Sequence, residues 1–508
     1  MTDIKKWKLE VLDTKSPSFC GAKWYNASMW LFAGTTTSCH HNPPHSIDVN
    51  EIKTNPRALH NTTIKKNERR MMQIGEKPKN CQFCWVMEEV DSSGLADRTW
   101  LSSQSTDEDL KIAFENSYNN DYDLNYLEIA FDQTCNLACS YCGPSISSTW
   151  TRDIKNNGPY TNLPTDHRQH YTELYGNGST HLYKYGDANP YIDAFFSWWE
   201  SSLHKTLKRL RITGGEPMMS AHTWKLLDWL SAHRASSKCV IEITTNLAYD
   251  DEMLDRFFEK CRLSAMPISI YTSAECVGAK TEYVRDGFSW QQWTHNFDRV
   301  VESGLFRNIN FCTTLSAISV DGFVDFLEWL LAYKKKLKPH NATIYGFTHT
   351  LAGFGSIWWE LVSGNLEISV NPVRFPTFQN IVVLPKHMRE EYSRKIIDFI
   401  NRPIDDSELV PLRSGYTRPT EAEHWFAVHE LDHIRRFANY LVEVESPHQE
   451  TSVTHNSDTY VNSPNFVADT LALSKDFKQF FTQYDHRRGK DFVKTFPNLK
   501  TWYESIQI

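Results

Sequence analysis

The sequence predicts an α/β protein: a partial (β/α)6 barrel, preceded by a cysteine-rich region and followed by a mostly helical one. Three observations predict this. From residue 126 onward, short runs rich in Ile, Thr, Tyr or Phe alternate with amphipathic helical stretches, the order that makes βαβ crossovers and a parallel sheet. Seven of the eleven cysteines (Cys20, Cys39, Cys81, Cys84, Cys135, Cys139 and Cys142) crowd into the N-terminal part of the chain. After residue 386 the strand signals stop and helical periodicity takes over.

Composition bounds the function. The chain has 508 residues, 40% apolar and 23% charged. That length is a soft prior for about three domains of ~150 residues. The composition is that of an ordinary globular chain, which excludes collagenous and wholly disordered classes. A net charge of −8 argues against a nucleic-acid partner, because phosphate contacts need a local Lys/Arg excess. The one basic cluster, Lys65-Lys66 with Arg69-Arg70, reads as a solvated helix face. No apolar run approaches the ~18–20 residues that span a bilayer, so no membrane partner is expected. Residues 1–10 carry charges and Trp7 but no apolar signal-peptide core, which predicts a cytoplasmic protein.

In chain order, residues 1–125 read as a separate cysteine-bearing region with weak periodicity. The barrel region, 126–385, offers strands at 126–131, 207–212, 240–245, 267–272, 308–314 and 342–347. Helical patterns lie among them at 221–232, 252–260, 290–303 and 320–337. Six such units fit a partial barrel better than an eightfold one, with chemistry expected at the C-terminal strand ends. The first crossover, 151–206, has room for two helices and a Gly/Asn/Tyr-rich segment, as a lid or as a structural insertion. Residues 386–508 read as helical, interrupted by a polar loop at 446–463.

A reducing compartment disfavours disulfides, so the cysteines need another account. Cys239, Cys261, Cys276 and Cys312 stand singly among apolar neighbours and read as small core residues. Directly after the first strand, Cys135, Cys139 and Cys142 form C-x3-C-x2-C. Three thiolates on one tight loop can ligate three corners of a cubane iron–sulfur cluster, leaving one iron open to another ligand. Zinc is the alternative, but zinc pairs are usually C-x2-4-C with a second pair closing the tetrahedron. No fourth ligand is local here.

With Tyr141 before its last cysteine, this loop resembles the signature of the radical SAM superfamily. The resemblance implies a 4Fe-4S cluster whose open iron is chelated by the amino and carboxylate groups of S-adenosylmethionine, with Tyr141 near the adenine. The second strand ends in Thr213-Gly214-Gly215-Glu216-Pro217, similar to the family's GGE motif. Gly214 and Gly215 let backbone come close to the methionine end, and Glu216 can accept from its ammonium. Thr245-Asn246 is similar to the family's T-N after the third strand. Ser273-Ala274-Glu275 and Glu282-Tyr283-Val284-Arg285 resemble its S-x-D and E-Y-x-R stretches, with Glu275 standing where Asp is usual. By resemblance, Ser273 and Arg285 hold the ligand's carboxylate, and Asn246 and Glu275 lie near the ribose. The alternative is a plain surface ion pair between Glu282 and Arg285.

Further upstream, Cys20, Trp24, Gly34 and Cys39 precede Gly75, Pro78, Cys81 and Cys84. This is similar to the auxiliary-cluster segment of twitch-domain (SPASM-like) radical SAM proteins that carry it before the barrel. The resemblance implies a second, auxiliary 4Fe-4S cluster on Cys20, Cys39, Cys81 and Cys84. That group usually pairs cysteines where this chain has Cys39-His40-His41. Four cysteines are enough to close a cluster, which predicts electron transfer rather than substrate ligation. Zinc is again the alternative, in a zinc-stabilised binding protein, because Cys mixed with His40, His41 and His45 suits that metal. Residues 465–508 are similar to the same group's tail.

One motif competes. His429-Glu430-Leu431-Asp432-His433 fits H-E-x-x-H, which on a helix puts two imidazoles on one face with Glu430 as base of a zinc metalloprotease. With 20 histidines in the chain, one chance match is unsurprising, and Asp432 makes the helix read as polar and solvated. The expectation is therefore a radical SAM enzyme acting on a peptide or small molecule, fed by a reductant such as flavodoxin or ferredoxin. Trp358-Trp359 are candidate pocket aromatics, with core packing the alternative.

Overall fold

Along each central strand, buried aliphatic residues alternate with polar ones, and that alternation gives the sheet two unlike faces. Leu127 and Ile129, Leu210 and Ile212, Ile241 and Ile243, and Ile268 and Ile270 are buried. They share one core with helix residues such as Leu226, Phe257, Phe297 and Phe326. On the other face the register aligns Glu128, Arg211, Glu242 and Ser269 in a single polar row.

The computed structural model describes residues 4–90, 94–166, 171, 183–184, 186–233, 239–337, 366–405, 420–443 and 470–508. Its strands are β1 (Asn26–Trp30), β2 (Thr35–Thr37), β3 (His45–Ser46), β4 (Tyr126–Ala130), β5 (Ala138–Cys139), β6 (Arg209–Thr213), β7 (Val240–Thr244), β8 (Ile268–Thr272), β9 (Arg285–Asp286), β10 (Phe306–Leu315) and β11 (Leu366–Pro372). Nine of them form one sheet in the order β11-β10-β8-β7-β6-β4-β1-β2-β3. From β11 to β1 every pairing is parallel, and β2 and β3 complete the edge in antiparallel fashion. The protein is thus α/β with a large, mostly parallel central sheet.

The sheet curls toward its polar face. Arg211 Nη2 on β6 reaches Cys312 Sγ on β10 at 3.8 Å, although β7 and β8 lie between them. Three strand spacings of ~4.8 Å separate such strands in a flat sheet, more than an arginine side chain spans, so the two edges must bend toward each other.

Five of the predicted strands lie where their patterns place them, shifted by a residue or two at the ends. The predicted strand 342–347 lies outside the described residues, as do Trp358, Trp359 and the loop at 446–463. The strand paired beyond β10 is β11. The helix Ala221–Ala232 matches its predicted span, Asp251–Ser264 covers the second, and Trp290–Glu302 and Phe323–Lys336 fall within the other two. The first crossover contains the helices Ser148–Asn157 and Pro190–Trp198. The N-terminal region contributes β1 to the same sheet, alongside β4. Among the described residues, no helix is long and apolar enough to cross a membrane.

The basic cluster is not a solvated face. In the helix Thr63–Gln73, Lys65 and Arg69 are fully buried with Glu68 and Met72. These four share one stripe at i, i+3, i+4 and i+7, and that stripe faces inward because every charged head on it finds polar partners. Lys66, off the stripe, pairs with Asp121 at 2.8 Å.

Candidate functional site

Four loops meet at the C-terminal ends of β4, β6, β7 and β8, and the cysteine triplet is the first of them. Its backbone is tied to the helix that follows. Cys135 N donates to Ser148 Oγ at 3.0 Å, Thr149 Oγ1 donates to Cys135 O at 2.6 Å, and the Trp150 indole donates to Cys139 O at 2.9 Å. Leu137 N points at Cys135 Sγ at 3.4 Å. Cys139 pairs with Arg285 across the small β5–β9 ribbon, so the E-Y-V-R segment is woven into the cysteine loop. From the C-terminal helix Thr470–Arg488, the buried Tyr484 hydroxyl donates to Ala138 O at 3.4 Å.

The Gly-Gly loop is pressed against the same segment. Gly214 has φ +117°, where side chains are strained. A Cβ on Gly215 would sit 2.3 Å from Thr134 O, far inside contact distance. Glu216 N donates to Thr134 O at 2.7 Å. The two glycines therefore let this turn approach the backbone leading into Cys135, a close neighbour that spacing alone did not reveal.

Glu216 is buried and accepts three hydrogen bonds: Met218 N at 3.1 Å, Thr245 Oγ1 at 2.8 Å and Asn246 N at 2.6 Å. An ionised carboxylate has about four acceptor positions, so about one remains. Burial raises its pKa to about 7, against the opposing pull of those three donors. The Asn246 amide donates to Asn136 Oδ1 at 2.8 Å, joining the third strand's end to the cysteine loop. Asn136 and Thr134, neither of them a motif residue, thus tie these loops together. No residue-type signal marks them.

Glu275 and Arg285 meet in the interior. Arg285 Nε donates to Glu275 Oε2 at 2.8 Å and its Nη2 to Oε1. Tyr141 OH donates to Glu275 Oε1 at 2.9 Å, and Arg285 Nη1 lies 3.7 Å from Cys139 Sγ. Glu282 instead accepts from Trp290 N at 2.9 Å, so the surface pair considered above is not formed. Arg285 spends two of its donors on Glu275, and Ser273 is half-buried just past β8.

The four N-terminal cysteines, spread over 20–84, come together. Cys84 lies within electrostatic reach of Cys20, Cys39 and Cys81. Burial first, and then the neighbouring thiols, push Cys84 above the usual thiol range. The same holds in the triplet, where burial and then Cys139 bring Cys135 up to about 12. Bound metal charge inverts this order and makes such thiols give up their protons. Beside these groups the buried hydroxyls of Ser18, Ser38, Thr99 and Ser140 have no hydrogen-bond partner. Orphaned donors of this kind suit inorganic sulfide. Among the described residues no three His, Cys, Asp or Glu side chains are grouped to hold one metal ion. A cubane makes a different demand, because each thiolate binds its own iron. The residues present fit two clusters.

The histidines near Cys39 have other partners. His41 stacks on Phe83 with ring centroids 3.6 Å apart and bonds Asp97, while His45 bonds Thr62 Oγ1 at 2.9 Å. His40 Nε2 lies 3.8 Å from Glu128 Oε2 on β4. Of the residues that sequence reading missed, Lys23 is the most telling: a buried lysine in the four-residue step from Cys20 to Trp24.

In the H-E-x-x-H helix (Val428–Glu443), Glu430 is buried on Lys334 Nζ (3.0 and 2.9 Å), Ile368 N (2.9 Å) and Ala427 N (2.7 Å). The helix is amphipathic, with Leu431, Ile434, Phe437 and Leu441 inside, rather than solvated all round. Glu430 fastens it to β11. The single odd cysteine of the core set is Cys312, half-buried against Arg211, whereas Cys239, Cys261 and Cys276 are buried.

The fold and site define an α/β protein with a cysteine-bearing loop at the C-terminal edge of a parallel sheet. No protein-family model, curated protein or solved structure matches the chain.

Proposed function

We propose that the protein is a radical SAM enzyme with a 4Fe-4S cluster on Cys135, Cys139 and Cys142 and an auxiliary 4Fe-4S cluster on Cys20, Cys39, Cys81 and Cys84. One observation carries this reading: the Gly-Gly-Glu, Thr-Asn and Ser-x-Glu segments and Arg285 all converge on the loop that bears the cysteine triplet. On this reading, the polar, curled sheet on which they sit is that of a partial (β/α)6 radical SAM barrel.

When bound, the first cluster with S-adenosylmethionine supplies a 5′-deoxyadenosyl radical that abstracts a substrate hydrogen atom. The chain's own residues bind and orient. Glu216 keeps one acceptor position for the ligand's amino N–H, and its carboxylate is aimed by Thr245 and Asn246. Glu275 locks Arg285 and Tyr141 beside Cys139. Trp150, Tyr171 and Tyr484, all fully buried, close the outer side of the loop to water. The polar inner face, with Glu128, Arg211, Glu242 and Tyr271, receives a peptide or small polar metabolite, and a flavodoxin- or ferredoxin-like reductant supplies the electron.

Anaerobic reconstitution with iron and sulfide tests this. The expected load is about eight iron and eight sulfide per chain, about half of it lost when Cys135, Cys139 and Cys142 are changed to Ala. With dithionite and S-adenosylmethionine the intact protein should release 5′-deoxyadenosine. A folded, iron-loaded protein that releases none overturns the proposal, and stoichiometric zinc on the N-terminal cysteines overturns its second cluster.

A further inference from the structure

A buried lysine, Lys23, stands at the N-terminal cysteines with one carboxylate paired to it. Lys23 Nζ pairs with Glu68 Oε2 at 2.7 Å, and both side chains are almost wholly buried. With the Asn42 amide turned so that both its ends are satisfied, Asn42 also accepts from Lys23 Nζ at 2.8 Å. Fully buried Lys65 bonds neutral groups, Thr36 Oγ1 (3.1 Å), Thr37 O (3.0 Å) and His60 Nδ1 (3.3 Å), and burial pushes its pKa well below the usual lysine value. Fully buried Arg69 points away from the thiols, bonding Lys23 O (3.1 Å) and Asn61 Oδ1 (2.9 Å), packing over the Tyr122 ring and facing Asp121 and Glu68. Arg98, by contrast, is balanced by Glu88 and Asp13.

Buried charge is retained only where something compensates it. Glu68 is the carboxylate that compensates Lys23. The Asn42 amide that meets Lys23 also lies 3.4 Å from Cys39 Sγ and 3.6 Å from Cys81 Sγ, and of the charges around those two thiols the Lys23 ammonium acts most strongly on both.

We infer that the buried Lys23 ammonium raises the reduction potential of the auxiliary cluster, as its principal positioning charge, with Glu68 its counterweight. The inference rests on the cluster reading of this site. A 4Fe-4S core of charge 2+ on four thiolates is a dianion, and reduction adds a further negative charge. A buried cation beside it favours the reduced form, because net charge and surroundings set such potentials. Lys23 therefore poises the auxiliary cluster to hold an electron.

The test uses the full chain with Cys135, Cys139 and Cys142 changed to Ala, reconstituted anaerobically and titrated under dithionite with spectroscopic detection. Lys23→Met should shift the one-electron reduction equilibrium at least tenfold toward the oxidised form, ~59 mV downward, with iron content unchanged. Lys23→Arg should restore the parent value. Near-isosteric Glu68→Gln should move the potential in the opposite direction, which decides the matter even if Lys23→Met fails to fold. Potentials unmoved in an iron-loaded protein overturn this inference alone. A parent that takes up no iron overturns the cluster reading together with it.

Discussion

Arg285 grips Glu275 with two donors, and both side chains are buried, ten residues apart in the chain and on opposite sides of the helix Gly278–Val284. The pair carries Tyr141 and the Cys139 sulfur on its flanks, so it is a structural element of the cysteine loop and a candidate ligand site at once.

Breaking it should be costly. Removing one partner of a buried, hydrogen-bonded ion pair costs about 3–5 kcal/mol, so Glu275→Ala should lower unfolding stability by that order in denaturant titration. Glu275→Asp keeps the charge and loses a methylene, and should retain most of the stability while loosening the hold on Tyr141. Equal stabilities of wild type and Glu275→Ala would mean the pair is not formed in solution.

Gly215→Ala probes the approach of the two loops. The new Cβ meets backbone at 2.3 Å from Thr134 O, which cannot rotate away as a side chain does. Overpacking of this sort costs about 1–3 kcal/mol and should push the Cys135 loop out of place. The expected result is loss of the iron bound by Cys135, Cys139 and Cys142, with the N-terminal iron retained. Full iron content in Gly215→Ala would show that the loop tolerates displacement.

Glu216 makes ligand binding pH-dependent. Burial places its ionisation at about pH 7, and the ionised form is the stronger acceptor for the ligand's amino N–H. Affinity for S-adenosylmethionine should therefore be full above that pH and fall by about tenfold per unit below it. Glu216→Gln should flatten the profile and, at pH 8, weaken binding by about 1.5–3 kcal/mol, roughly 10- to 150-fold. Calorimetry across pH 5.5–8.5 reads both, and a wild-type profile without slope counts against the assigned contact.

Much of the frame was legible before any coordinates. The strands β4, β6, β7, β8 and β10 announce themselves by β-branched runs, and the helices among them by 3.6-residue periodicity, because both signals are local. The order of the motifs, each one strand further along, is also readable, and a parallel sheet puts all strand ends of one sense at the same edge. β1 was not legible: Asn26-Ala-Ser-Met-Trp30 is short and half polar, and its place beside β4 depends on a pairing a hundred residues distant.

The sequence by itself determined the alternation, the cysteine spacings and the residue types available for chemistry. Tertiary structure alone decided which face of Thr63–Gln73 turns inward, carrying Lys65 and Arg69 with it, and that Cys20 and Cys39 meet Cys81 and Cys84. It also committed Glu430 to Lys334 and Glu275 to Arg285. The physical reason is range. Backbone geometry repeats over two to four residues, whereas a buried charge or thiol acquires its partner only when segments far apart in the chain pack together, and burial then magnifies whatever charge they meet.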